Sequence, residues 1–132
     1  MELLPFHIAL MGASFALAMA GGLVARFAKA KKWWLKTHKA LNGIAGVLAL
    51  AGIAMAILMV KSYEGAHFGS VHGIIGLVAG TWIVIQAFAG WLMTRPAMAK
   101  YGKKARPIHR WSGRLLMAVM LANIILGLSK IL

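Results

Sequence analysis

Four histidines in this chain stand at the heads of apolar stretches: His7, His38, His72 and His109. A glycine follows each one closely, at Gly12, Gly43, Gly76 and Gly113. Neither residue type suits plain packing. Imidazole is polar, and ionisable groups inside a membrane are functional candidates by default. Glycine in a helix interior costs about 1 kcal/mol relative to alanine. The combination makes sense if a flat, wide group must lie against the helix and be held through a ring nitrogen. The clearest head is Phe68-Gly69-Ser70-Val71-His72-Gly73-Ile74-Ile75-Gly76-Leu77, which opens a long apolar run.

The elements that position these heads follow from composition. The chain has 132 residues, of which 61% are hydrophobic, and only two are acidic. Its mean hydropathy is +0.80. An average soluble chain is roughly 45–50% apolar and about 25% charged. The apolar residues gather in four runs, near 7–27, 38–60, 72–93 and 109–129. Each approaches the ~20 residues that cross a hydrocarbon core of about 30 Å. The connections are short, which makes consecutive helices antiparallel neighbours. The expectation is an all-α membrane protein, a single domain over 1–132 folded as an up-down-up-down four-helix transmembrane bundle.

The formal charge of +13 suggests nucleic-acid binding until its placement is read. Arg26, Lys29, Lys31, Lys32, Lys36 and Lys39 surround the first connection, and Arg95, Lys100, Lys103, Lys104, Arg106, Arg110 and Arg114 surround the third. The second connection and the termini carry only Lys61 and Lys130, with Glu2 and Glu64. Basic residues concentrate on the cytoplasmic side of membrane proteins. The first and third connections are therefore expected in the cytoplasm and both termini outside. The charge reads as topology signal and anionic-lipid contact, with no nucleic-acid partner. Ala18-Met19-Ala20 resembles a signal-peptide cleavage site, but no Lys or Arg precedes it, so residues 7–27 read as a retained helix.

In that topology His7 and His72 share the outer side, and His38 and His109 share the inner side. The first and third helices lie diagonally across the bundle, as do the second and fourth. Each membrane face thus offers two imidazoles facing one another through the core, the arrangement for bis-imidazole ligation of a haem iron. Zinc usually takes four ligands, and no thiol or carboxylate accompanies either pair. The chain has no cysteine, so iron–sulfur clusters and covalently attached haem are excluded. Gly76 and Gly113 stand four residues after their histidines, on the same helical face, and leave room for a macrocycle. Met11 and Asn42 occupy the same places in the other two helices. Arg26, Lys36, Lys39, Arg110 and Arg114 lie near the inner pair in depth, suited to haem propionates or to an anionic donor. Gln86 and Asn123 read as interhelical hydrogen-bond partners. His67 lacks the pattern and reads as a loop residue or part of an outer redox-partner site.

These residues carry a resemblance. The chain resembles the transmembrane core of the cytochrome b561 family, the ascorbate-reducible di-haem proteins. The family's Ser-x-His-x-x-x-Gly-Leu head is similar to Ser70 through Leu77, and its later Gln and Gly fall on Gln86 and Gly90. His7-Ile8-Ala9-Leu10-Met11 looks like its first-helix histidine segment. Leu23-Val24-Ala25-Arg26 through Lys36-Thr37-His38 resembles its Leu-x-x-Arg, basic loop and Lys-x-His. His109, Gly113 and Gly127-Leu128 match its last core helix. Ile74 stands where the family has Trp. The resemblance implies two haems b, one held by His7 and His72 and one by His38 and His109. It also implies that Arg26, Lys32 and Lys36 lie at the cytoplasmic ascorbate site, with Lys39 a further donor-site candidate.

The expectation is transmembrane electron transfer from a small reductant such as ascorbate or quinol to a redox acceptor that the residues do not name. The activity would be that of a ferric or other one-electron reductase. Two centres split a ~30 Å crossing that is too long for one fast tunnelling step. The rivals are a haem-bearing anchor subunit of a respiratory complex and a small proton-coupled transporter without haem. Helix faces rich in Gly and Ala leave a homodimer open.

Overall fold

The computed structural model describes residues 2–62 and 69–132. They form four long helices, α1 (Leu4–Phe27), α2 (Trp34–Ser62), α3 (Val71–Leu92) and α4 (Gly102–Leu128), with a 3-10 turn over Pro96–Tyr101 before α4. There is no strand among the described residues. Each helix is long and apolar enough to cross a membrane. The shortest, α3, has 22 residues, about 33 Å at 1.5 Å per residue. The protein is an all-α membrane bundle. α1 packs against α2 and α4, and α3 packs against α2 and α4. α1 and α3 therefore face each other across the core, as do α2 and α4.

Two helices begin a full turn or more before the apolar runs predict. α2 starts at Trp34 and α4 at Gly102, so His38 and His109 sit one and two turns inside their helices. Pro107 lies within α4. It is the sixth residue there, so its ring removes only the bond to the Lys103 carbonyl. The rest of the first turn has no intrahelical donors to lose.

The core follows a seven-residue repeat counted from each histidine. Steps of 4, 7, 11 and 14 give Met11, Ser14, Ala18 and Gly21 on α1, and Asn42, Ala45, Ala49 and Gly52 on α2. The same steps give Gly76, Ala79, Ile83 and Gln86 on α3, and Gly113, Leu116, Met120 and Asn123 on α4. This is the spacing of helices that wind around one another. All but two of the buried helix residues, Gly80 and Gly102, fall on these four stripes. The α1–α2 seam is built of small residues, which lets the backbones come close. There the wholly buried Ser14 hydroxyl donates to the Ala45 carbonyl at 2.7 Å. The middle of the bundle is filled by Ala49, Ala79, Ile83, Leu116 and Met120.

Candidate functional site

At one end of the bundle, local sequence fixes two histidines early in their helices. Pro5 lies in the first turn of α1, ahead of His7. Ser70 caps α3, its hydroxyl accepting from the Gly73 amide at 3.2 Å, with His72 between them. The rings of His7 and His72 meet across the α1–α3 diagonal with centroids 6.2 Å apart and planes at 89°. Each also reaches sideways to its hairpin partner. His7 Nδ1 donates to the Gly52 carbonyl at 2.8 Å, and His72 Nδ1 to the Asn123 carbonyl at 2.9 Å.

The opposite end repeats the arrangement. The rings of His38 and His109 stand 6.5 Å apart across the α2–α4 diagonal, with planes at 80°. His38 Nδ1 donates to the Gly21 carbonyl at 2.8 Å. Asn42 Nδ2 is 3.2 Å from the same nitrogen but donates to the His38 carbonyl at 2.8 Å. Trp34, one turn earlier on α2, lies 6.3 Å from the His38 ring. His109 differs from the other three: its Nδ1 is buried without a hydrogen-bond partner. Its backbone carbonyl accepts from Gln86 Nε2 at 2.6 Å.

A backbone carbonyl can only accept, so Nδ1 of His7, His38 and His72 must carry the ring proton. The lone pair then sits on Nε2 and is free to ligate. Such outer hydrogen bonds fix ring orientation and raise ligand basicity. At the metal–nitrogen distance of about 2 Å usual for histidine, two imidazoles on opposite sides of one ion stand roughly 6 Å apart, centroid to centroid. Both pairs match that spacing. Among the described residues no three of His, Cys, Asp or Glu converge. The donor set at each end is two imidazoles, which suits the two axial positions of a haem iron.

Side chains of the hairpin partner stand against two of the glycines. A Cβ on Gly76 would lie 3.2 Å from Asn123 Nδ2, and one on Gly113 would lie 2.9 Å from Gln86 Nε2. Gly90 and Gly127 admit the histidines themselves: a Cβ would approach the His109 ring to 3.0 Å and the His72 ring to 2.7 Å. Gly12 and Gly43 face open space.

The predicted donor-site residues Arg26, Lys32, Lys36 and Lys39 are exposed at the His38–His109 end, as is Arg114. Arg26 lies over Phe27 at 5.3 Å and Arg114 over Trp111 at 4.7 Å, within cation–π range. Lys39 Nζ reaches Thr94 Oγ1 at 3.5 Å. Among the described residues, no hydrogen bond joins these cations to the histidine rings. His67 and Glu64 lie outside the described residues.

The family model for eukaryotic cytochrome b561 matches residues 6–132. The chain belongs to the cytochrome b561 family. Membership implies haem b, the group that the two imidazole pairs fit. The chain is similar to the plasma membrane ascorbate-dependent reductase CYBRD1 of Mus musculus, with 27% identity over 105 residues, covering 77% of this chain and 36% of that protein. The same-named protein of Rattus norvegicus is 26% identical over 105 residues, covering 77% of this chain and 37% of its own length. The b561 chain thus spans little more than a third of the length of these relatives. No solved structure matches it.

Proposed function

We propose that this b561 chain carries single electrons across the membrane through two haems b. His7 and His72 would hold one near the outer face, and His38 and His109 the other near the inner face. The observation that carries the reading is the pair of diagonal imidazole contacts, 6.2 Å and 6.5 Å between centroids, at opposite ends of one bundle. Fourteen residues separate each histidine from the level of the other pair, for example His7 from Gly21. At 1.5 Å per residue the two layers stand about 21 Å apart, shorter than the full hydrocarbon thickness. Bound haem supplies a one-electron ferric/ferrous couple. His7 with His72, and His38 with His109, would hold each haem from two sides, which would leave the site to pass electrons rather than to bind a substrate at iron.

The basic end gives the reductant side. Arg26, Lys32, Lys36 and Lys39 would draw a small anionic donor of the ascorbate class to the inner pair. The same cations favour the electron-bearing state of the inner centre. In this reading the basic connections are cytoplasmic and both termini are outside, so electrons leave toward an outer acceptor. The mammalian relatives are named as ascorbate-dependent reductases, which supports this donor class.

The test is a visible spectrum of the detergent-purified chain with haem quantified. The expected result is low-spin b-type absorption and two haems per chain. His7→Ala and His72→Ala should remove the same haem, and His38→Ala and His109→Ala the other. Mixing with ascorbate and, separately, with a quinol ranks the donors. Protein from iron-replete cells that holds no porphyrin would rule the reading out in favour of a colourless carrier.

A further inference from the structure

The side chains beside the four histidines interlock in one pattern. Each corner of the bundle pairs the residue four steps after a histidine with the residue fourteen steps after the hairpin partner's histidine. In every corner one of the two is glycine and the other fills its space. Met11 fills Gly52, Asn42 fills Gly21, Asn123 fills Gly76 and Gln86 fills Gly113. The roles reverse between hairpins. In α1–α2 the filling side chain stands four after the histidine, and in α3–α4 it stands fourteen after.

Three corners also supply a carbonyl, from Gly21, Gly52 or Asn123, to a histidine Nδ1. The fourth does not. By the same count the acceptor for His109 would be Gln86, yet His109 Nδ1 has no partner. Instead the longer Gln86 side chain passes over Gly113 and donates to the His109 backbone at 2.6 Å.

We propose that Gln86 is the positioning residue for His109, holding this one ligand through its main chain where the other three are held through their rings. The inference rests on the haem reading above. Gln86 touches no reacting atom; it acts by fixing α4 at the ligand, and Gly113 is the gap that lets it reach. His109 then lacks the ring hydrogen bond that makes a ligand more basic, so the inner centre gains less electron density from it than from His38.

The test uses the full chain with haem quantified and each centre's potential and low-temperature EPR signal recorded. Gln86→Met keeps the length and removes the donor. Gly113→Ala puts a methyl where Nε2 passes. Each should weaken retention of the inner haem about 2–10-fold, the effect of losing one ordinary main-chain hydrogen bond. The inner signal should shift and the outer one stay unchanged. The double variant Gln86→Gly with Gly113→Asn copies the α1–α2 corner and should bring the inner haem back. Wild-type protein without haem would refute the earlier reading. Wild-type protein with two haems, alongside variants whose inner signal does not move, would overturn this inference alone. Equal loss of both haems, or a double variant no better than the singles, would overturn it too.

Discussion

His7 and Gly52 meet where the ring nitrogen of one donates to the main-chain oxygen of the other at 2.8 Å. Gly52 also makes room for the Met11 side chain. A Cβ there would lie 2.7 Å from Met11 Sδ and 3.1 Å from Met11 Cγ. Gly52→Ala is therefore expected to displace the Met11 side chain at a cost of about 1 kcal/mol. It should also loosen His7, with preferential loss of the outer haem in the reduced spectrum. Adding Met11→Ala frees the space and should recover most of the loss, a coupling that a double-mutant cycle measures.

Ser70 holds the start of α3, with His72 inside the cap. Ser70→Ala is expected to cost about 1 kcal/mol in detergent-unfolding titrations and to release the outer haem at lower denaturant. Ser70→Asp keeps an acceptor and should behave as the wild type. Equal release of both haems in Ser70→Ala would show that the cap does not bear on His72.

In the reading proposed above, the cations at the His38–His109 end would act on arrival of the reductant. Replacing Lys32, Lys36 and Lys39 together with Gln should slow reduction by ascorbate about tenfold at low ionic strength. The gap between variant and wild type should close as salt screens exposed charge. Stopped-flow reduction over a salt series reads both. Reduction by a neutral quinol should change little.

The absence of native cysteine makes orientation directly readable. Ala30→Cys probes the α1–α2 connection and Ser129→Cys the segment after α4. A membrane-impermeant maleimide added to intact cells should label Ser129→Cys and reach Ala30→Cys only after permeabilisation. The opposite pattern would invert the electron path proposed here.

The four helices and the diagonal meeting of the histidines were legible in the sequence, because hydropathy and short connections leave few other topologies. Helix starts were less so. His38 and His109 looked like first residues because basic and proline-containing segments precede them, yet Trp34 and Gly102 begin the helices. The spacing of Gly76 and Gly113 was legible as room on the bundle's inner face, but not that the amides of Asn123 and Gln86 stand beside them. The signal that would have shown this was present: counting seven, eleven and fourteen from each histidine picks out the buried stripe. The Nδ1 acceptors were invisible, since a main-chain carbonyl leaves no mark in residue type.

The sideways and diagonal bonds of the histidines divide the labour of assembly. Three rings are latched within their own hairpin, to Gly52, Gly21 and Asn123, while both ring-to-ring meetings run between hairpins. Each hairpin can thus insert as a finished unit with its ligands already aimed. In the haem reading the porphyrin would serve as the clasp between two halves, and cells short of it should accumulate an unlocked chain open to proteolysis.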